Sequence, residues 1–208
     1  MSKKERLSEF NRSNILSAAK ELFEEKGIPQ TTMDDIAKKA DCSKSTIYVY
    51  FKSKDEIFDH IVLEYFTLLK DGIEKTFHHV EKFPDSFFAI CNTVSKFYEG
   101  NPAYFESILG EIKIAEDEES TVLFQIYEIG EEINSLIEGY LKANIESGNI
   151  QNEAAPSFQT TFALWGAICG IISLAHNKEK YIWHKTNASK EEFMQNGFNL
   201  LLRSLQSN

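Results

Sequence analysis

The strongest constraint on how this chain folds is its punctuation. Apolar residues recur at three- and four-residue spacing, and the breaks between these runs carry helix-start signatures. Thr32 precedes Asp34-Asp35, and Ser53-Lys54-Asp55-Glu56 and Ser189-Lys190-Glu191-Glu192 share one pattern, while Asn101 precedes Pro102. In each, a hydroxyl or amide oxygen can accept from a free first-turn N–H, and a following acid or proline suits that turn. Only 4 prolines and 10 glycines interrupt 208 residues, most of them at plausible helix ends. Strand-like alternation is absent. The pattern predicts an all-α chain of about nine helices, without repeats or low-complexity linkers.

The first helix is predicted over about Arg12–Glu25, where Ile15, Leu16, Ala19, Leu22 and Phe23 fall on one face. Lys26-Gly27 supplies a cationic end and a stop. Thr32 caps a second helix that buries Ile36, Ala37 and Ala40. Ser43 caps a third, about Lys44–Phe51, with Ile47 and Phe51 four residues apart. A fourth starts at Ser53–Glu56 and runs through Leu69 or beyond. Further helices are predicted from Pro84 to Tyr98, from Asn101-Pro102 to about Ala115, from Ser120 to Gly148, from Pro156 to Ala175 and from Ser189 to about Leu205. The acidic run Glu116–Ser120 reads as a solvated turn.

Charge divides the chain. Residues 1–54 hold 11 Lys/Arg against 8 Asp/Glu, a net of +3, and residues 55–208 hold 11 against 24, a net of −13. The whole molecule, at −10, is no general polyanion binder, but its first quarter can be. Domains are therefore expected at 1–54 and 55–208. The first contains two short helices joined by a tight turn, the pattern of a helix-turn-helix, whose second helix enters the DNA major groove. Lys44, Ser45, Tyr48 and Val49 share a face opposite Ile47 and Phe51. Hydroxyls at Thr32, Ser43, Ser45 and Thr46 suit phosphate oxygens, tyrosines suit the backbone or thymine methyls, and lysines neutralise phosphates. An ordinary helical hairpin with a solvated face shows the same residue types.

The wording of the segment goes further. Thr31–Phe58, TTMDDIAKKADCSKSTIYVYFKSKDEIF, resembles the N-terminal signature of the TetR family of bacterial transcriptional regulators, and ILSAAKELFEEKGIPQTT before it resembles that family's first helix. The resemblance covers about residues 10–58. It departs at Asp41, where glycine is usual, at Cys42, where a small aliphatic is usual, and at Ser45, where glycine is common. It implies backbone contacts from Thr32, Ser43, Thr46, Tyr48, Tyr50 and Lys54, and places Lys44, Ser45 and Val49 nearest base edges. It also implies a homodimer on a palindromic operator, and a repressor released when a small ligand binds the second domain.

The stretch Phe162–Ala175 is about 14 residues of apolar sequence, short of a membrane span, and reads as a buried helix. Its small residues permit close helix approach. The resemblance implies that the last two helices form a four-helix dimer bundle, which makes Phe162, Gly166, Gly170, Phe193, Phe198 and Leu201 candidate interface residues. The middle of the chain is rich in aromatics. Phe66, Phe88, Phe97, Tyr104, Phe105, Phe124, Tyr127 and Trp165 are candidates to line a pocket for an apolar or aromatic effector, with Glu106, Glu111 and Glu128 available to orient a cation. Core packing accounts for the same aromatics, and exposed helix faces for the same acids.

Other classes find less support. The histidines at 60, 78, 79, 176 and 184 are scattered, and no nucleophile elbow, phosphate loop or HExxH appears. Three distant cysteines form no zinc or disulfide pattern, and MSKKERLSEFNRSN has no apolar signal core, so a cytoplasmic protein without a cofactor or membrane partner is expected. A DNA-bound activator, or an adaptor controlled by a protein partner, is the alternative to a ligand-released repressor.

Overall fold

The computed structural model describes residues 2–79, 82–100, 102–110, 121–151 and 157–206. Among these residues it holds ten α-helices and no strand: α1 (Lys3–Lys26), α2 (Met33–Lys39), α3 (Lys44–Tyr50), α4 (Lys54–His79), α5 (Asp85–Gly100), α6 (Pro102–Phe105), α7 (Val122–Glu146), α8 (Phe158–Asn177), α9 (Glu179–Thr186) and α10 (Lys190–Gln206). A short 3-10 turn, Glu106–Ile108, follows α6. The helix expected from Asn101-Pro102 through Ala115, the acidic turn, Glu111 and the Pro156 start all fall wholly or partly outside the described residues.

The chain divides into two compact units, Met1–Tyr65 with Lys113–Ile126, and Phe66–Ile112 with Tyr127–Asn208. The divisions fall inside α4, between Tyr65 and Phe66, and inside α7, between Ile126 and Tyr127.

In the first unit the apolar stripe of α1 does what its spacing asks: Ile15, Leu16, Ala18, Ala19, Leu22 and Phe23 are buried. Gly27 ends the helix at φ 82, a conformation that suits glycine, and its N–H bonds the Phe23 carbonyl. Ile36, Ala37 and Ala40 of the second helix, Ile47 and Phe51 of the third, and Ile57 and Ile61 of α4 complete this core.

The second unit is built on longer helices. Leu69, Ile73, Phe87, Ile90, Val94, Phe105, Ile133, Ile137, Leu141, Trp165, Ile168, Ile172, Phe198 and Leu202 form one continuous cluster. Each helix contributes one face, spaced by three and four residues. At 20 residues α8 is long and apolar enough, by length and composition, to cross a membrane. Ser157 caps it, so that it starts at Phe158, four residues before the apolar stretch Phe162–Ala175, and it ends at Asn177, two residues beyond that stretch. One side of it, through Leu164, Trp165, Ile168, Cys169 and Ile172, belongs to the core.

Candidate functional site

The first unit presents α3 on a rigid support. Ser43 caps the helix, its hydroxyl accepting from the Thr46 N–H at 3.0 Å and lying 2.7 Å from both Ser45 Oγ and Thr46 Oγ1. The turn before it passes through Asp41 at φ 52, a left-handed conformation that Asp tolerates better than most residues. Cys42 closes the turn through its N–H to the Ala37 carbonyl at 3.0 Å. Ile47 and Phe51 point inward, 0% and 1% exposed, while Tyr48 and Val49 are 50% and 77% exposed. The recognition face is thus bare on one side and anchored on the other.

α2 is fixed by a capping box. Thr32 accepts from the Asp35 N–H, and the Asp35 carboxylate accepts from the Thr32 N–H and hydroxyl. Lys26, 2.7 Å from Asp35, and these Thr32 bonds hold the carboxyl well below its usual range.

Besides these hydroxyl residues, three more of those expected at DNA are engaged inside the unit. Lys44 Nζ lies 2.9 Å from Asp34 Oδ2, an exposed pair that raises the lysine's pKa. Such a pair is worth little and is readily exchanged for phosphate. Tyr50 is half-buried and its hydroxyl accepts from Asn11 Nδ2 at 3.2 Å, tying α3 to α1. Lys54 departs most from expectation. Its ammonium donates to the Ile28 carbonyl at 2.7 Å and the Thr31 carbonyl at 2.9 Å, so it holds the α1–α2 connection to the start of α4. The Ile28 carbonyl also accepts from the Thr31 N–H at 3.3 Å, so the ammonium adds to a turn bond already present there.

In the second unit the aromatics expected at a ligand separate into several environments. Phe105 and Trp165 lie in the continuous core, and Phe88 and Phe97 are half-buried against it. Phe105 meets the Tyr98 ring edge-on at 4.8 Å and Phe97 at 6.5 Å. Phe66 and Tyr104 are buried, whereas Tyr127, Glu106 and Glu128 are exposed. Phe124, half-buried near the start of α7, falls in the first unit. A hollow of about 270 Å³ opens between Ser95 and Glu99 of α5 and Met194 and Phe198 of α10. Another of about 340 Å³ lies at the α8–α9 turn, between His176 and Tyr181. Neither is lined by the aromatics expected at the ligand.

The outer side of α8 is a different kind of surface. Phe158, Phe162, Gly166, Gly170 and Leu174 follow one another at four-residue intervals. Phe158, Phe162 and Leu174 are exposed, and the two phenyl rings stack at 5.4 Å. A side chain placed at Gly166 or Gly170 would meet nothing within 4 Å. Ile171, at the edge of this strip, crosses Gly197 of α10, where an added Cβ would meet its side chain at 2.9 Å. Past that seam α10 continues with Phe193, half-buried, and Leu200, 67% exposed. The result is one apolar face across two helices. Phe198 is a correction to the expected interface: it turns into the core at 2% exposed and is already covered by its own chain. Leu201 is half-buried against the same core. Leu200, Phe158 and Leu174, not named from sequence, stand exposed on the same face, at four- and seven-residue spacings that the sequence contains.

Residues 15–61 match the model of the bacterial regulatory proteins, tetR family. An uncharacterized HTH-type transcriptional regulator of Bacillus subtilis, YhgD, is 31% identical over 137 residues, covering 64% of this chain and 66% of that protein. The chain belongs to the TetR family of bacterial regulatory proteins. A second relative, an uncharacterized HTH-type transcriptional regulator of Haemophilus influenzae, is 29% identical over 94 residues, 45% of this chain and 50% of that one. The chain thus spans about half to two thirds of the length of these curated relatives. Its fold is that of the transcriptional regulator FadR of Bacillus subtilis, solved in complex with stearoyl-CoA, with a TM-score of 0.64 at 22% identity, over 94% of this chain and 97% of that one. Within the TetR match lie α2, the Asp41 turn and α3. Among the described residues no group of three His, Cys, Asp or Glu side chains can hold a metal ion.

Proposed function

We propose that this TetR-family protein is a sequence-specific DNA-binding transcriptional regulator that works as a homodimer on a palindromic operator. The observation that carries the reading is the two-sidedness of α3, with Ile47 and Phe51 buried and Tyr48 and Val49 bare. Thr32, Ser43, Thr46 and Tyr48 serve as backbone contacts, and Lys44, Ser45 and Val49 approach base edges. Val49 offers only apolar contact, such as to a thymine methyl. Tyr50 and Lys54 act by positioning: one ties α3 to α1, the other ties α4 to the α1–α2 connection.

A lone α3 reads a few base pairs, and a two-fold dimer doubles the contacts. The unpartnered face of Phe162, Gly166 and Gly170 with Phe193 and Leu200 supports a second copy docking there, helix against helix. Regulation follows as a population shift: an apolar ligand bound in the second domain favours a dimer whose α3 helices no longer match the operator, and the protein is released. The complex of the structurally similar FadR with stearoyl-CoA, and the aromatic content of this chain's second unit, support a ligand with a long apolar portion. Control by a protein partner is the alternative, favoured by Tyr181 and Trp183, 61% and 57% exposed on α9.

The test is selection of bound duplexes from a random-sequence pool by the full-length protein. A palindromic site bound by two protomers, lost in Tyr48→Ala at unchanged melting temperature, is the expected result. Acyl-CoA thioesters of increasing chain length are then titrated against the complex. Recovery of no preferred sequence would refute the reading.

A further inference from the structure

The cations of the first unit are unevenly committed. Lys20 pairs with Glu64, Lys26 with Asp35, Lys39 with Glu21 and Glu25, and Lys44 with Asp34. Lys54 is held by two carbonyls, and the Arg12 guanidinium lies 2.9 Å from His60 Nδ1. Among the described residues this leaves Lys3, Lys4, Arg6, Lys38 and Lys52 as the exposed cations of the unit outside such pairs. Affinity for duplex DNA comes largely from neutralised phosphates, so cations free of internal partners are the ones best placed to add to it.

Two of these, Lys3 and Lys4, stand at the very start of α1. They are exposed, and among the described residues neither forms an ion pair or side-chain hydrogen bond. They also sit on an ordered helix. The Ser2 hydroxyl accepts from the Glu5 N–H, and the Glu5 carboxylate accepts from the Ser2 N–H at 2.6 Å, which closes a capping box at the start of α1. A helix fixed this way carries its side chains in set directions, where a frayed tail would scatter them.

The direction is toward α3. Phe10, Asn11 and Asn14 of α1 share a hollow of about 290 Å³ with Asp41, Cys42 and Thr46, at the turn and start of α3. Lys3, Leu7, Phe10 and Asn14 are spaced by four, three and four residues, so Lys3 continues the line of that same face. Lys4 stands seven residues before Asn11 and flanks it. Glu5 and Glu9, two and six residues beyond Lys3, fall on the opposite side. At 1.5 Å per residue Lys3 lies about 16 Å along the axis from Asn14, so the strip extends beyond the hollow. Leu7 and Phe10, both more than half exposed, lie between the lysines and the hollow.

We propose that the first two turns of α1 are a second DNA-contacting element, in which Lys3 and Lys4 bind backbone phosphates flanking the half-site that α3 reads. Leu7 and Phe10 give the strip apolar surface for the adjoining sugars. The contact adds affinity and fixes register, and carries no base preference. It rests on the DNA-binding reading above.

The experiment compares the full-length protein with Lys3→Ala/Lys4→Ala and with Lys3→Arg/Lys4→Arg. Binding is measured on a mixed-sequence duplex and on a duplex selected by the wild-type protein, over roughly 50 to 250 mM salt. The alanine variant is expected to lose affinity on both duplexes alike. Its slope of log affinity against log salt should flatten by about one per lysine removed, hence by about four for a bound dimer. The arginine variant should keep the wild-type slope, and all three proteins should melt together. An alanine variant with the wild-type slope on both duplexes overturns the inference, even if its affinity for the selected site falls. If the wild-type protein itself binds neither duplex, the DNA-binding reading fails and this one with it.

Discussion

Two helices of this molecule, α3 and α8, leave large side chains bare, and they differ in what surrounds those side chains. Around Tyr48 and Val49 stand hydroxyls and the Lys44–Asp34 pair. Around Phe162 and Leu174 stand Gly166, Gly170 and alanines, with Leu200 on the neighbouring helix. The first setting keeps water and ions close until a charged ligand displaces them. The second offers nothing to water and gains from being covered. The lengths differ to match. α3 has seven residues and depends on two buried anchors, whereas α8 has twenty and is held by a whole face of the core.

The contrast breaks first at the anchors of α3. Phe51→Ala should destabilise the first unit by about 3–5 kcal/mol, and Ile47→Ala by about 2–5 kcal/mol, because both side chains are fully enclosed. Thermal or denaturant unfolding measures this directly. The Arg12 guanidinium 5.3 Å above the Phe51 ring and the His60 ring edge 5.5 Å away lose their support as well. A cost below about 1 kcal/mol would mean that α3 is held by something other than these two residues.

The α8 face is tested at its glycines. Nothing in the single chain lies within 4 Å of a Cβ at Gly166 or Gly170. Gly166→Ala should therefore stabilise an isolated chain by up to about 1 kcal/mol, since alanine is the better helix former. Gly166→Leu should leave the chain folded. If a second copy packs here, each protomer meets the new side chain, and overpacking of about 1–3 kcal/mol at each weakens the dimer by about 30-fold or more. Sedimentation across a dilution series reads the outcome. A dimer indifferent to Gly166→Leu would place the interface elsewhere.

Much of this was legible in sequence, and the gaps have physical causes. Buried faces of α1, α2 and α3 followed from three- and four-residue spacing, because burial on one side is what that spacing records. The early start of α1 at Lys3 was missed because residues 2–10 are exposed all round and carry no apolar stripe. The signal was present all the same: Ser2-Lys3-Lys4-Glu5 repeats the capping pattern of Ser53–Glu56 and Ser189–Glu192. α9 has neither signal. Its first turn has no side-chain cap and only Ile182 is buried, so an eight-residue helix ended by Asn187 at φ 54 left no trace in the pattern. Phe198 shows a deeper limit. Apolar spacing marks a residue for burial but does not say whether its own chain or a second copy does the burying.

Lys54 and Lys44 sharpen the comparison within the first unit. Lys54 donates two hydrogen bonds to carbonyls, and Lys54→Ala should cost about 1–2 kcal/mol of stability. Lys44→Ala removes only an exposed ion pair and should change stability by about 0.5 kcal/mol or less. For DNA binding the ranking should reverse once the loss of folded protein is allowed for, if Lys44 contacts DNA and Lys54 acts by positioning as proposed. Melting curves and binding isotherms on the same two variants separate positioning from contact. Equal melting temperatures would return Lys54 to the phosphate-binding set.

The smallest effect is a pH slope, and its sign is distinctive. Half-burial, with Asp55 and Glu56 nearby on α4, pushes the Asp59 carboxyl up to about 6. A carboxyl that is harder to ionise when folded binds more protons in the native than in the unfolded state between about pH 4 and 6. Stability from this group is therefore full below pH 4 and declines as pH rises through 6. Its neighbour His60 runs the other way. Burial and the Arg12 guanidinium lower its pKa, against the opposing pull of Glu56 and Glu64, so its protonation destabilises the fold as pH falls through the usual histidine range. The two slopes oppose each other near pH 6. Asp59→Asn should remove the falling limb, raise stability at pH 7 by about 0.5 kcal/mol after solvent screening, and leave the rising His60 limb visible on its own. Unfolding free energies measured from pH 4 to 8 on wild type and variant test this, and parallel curves would show that Asp59 titrates normally in the folded chain.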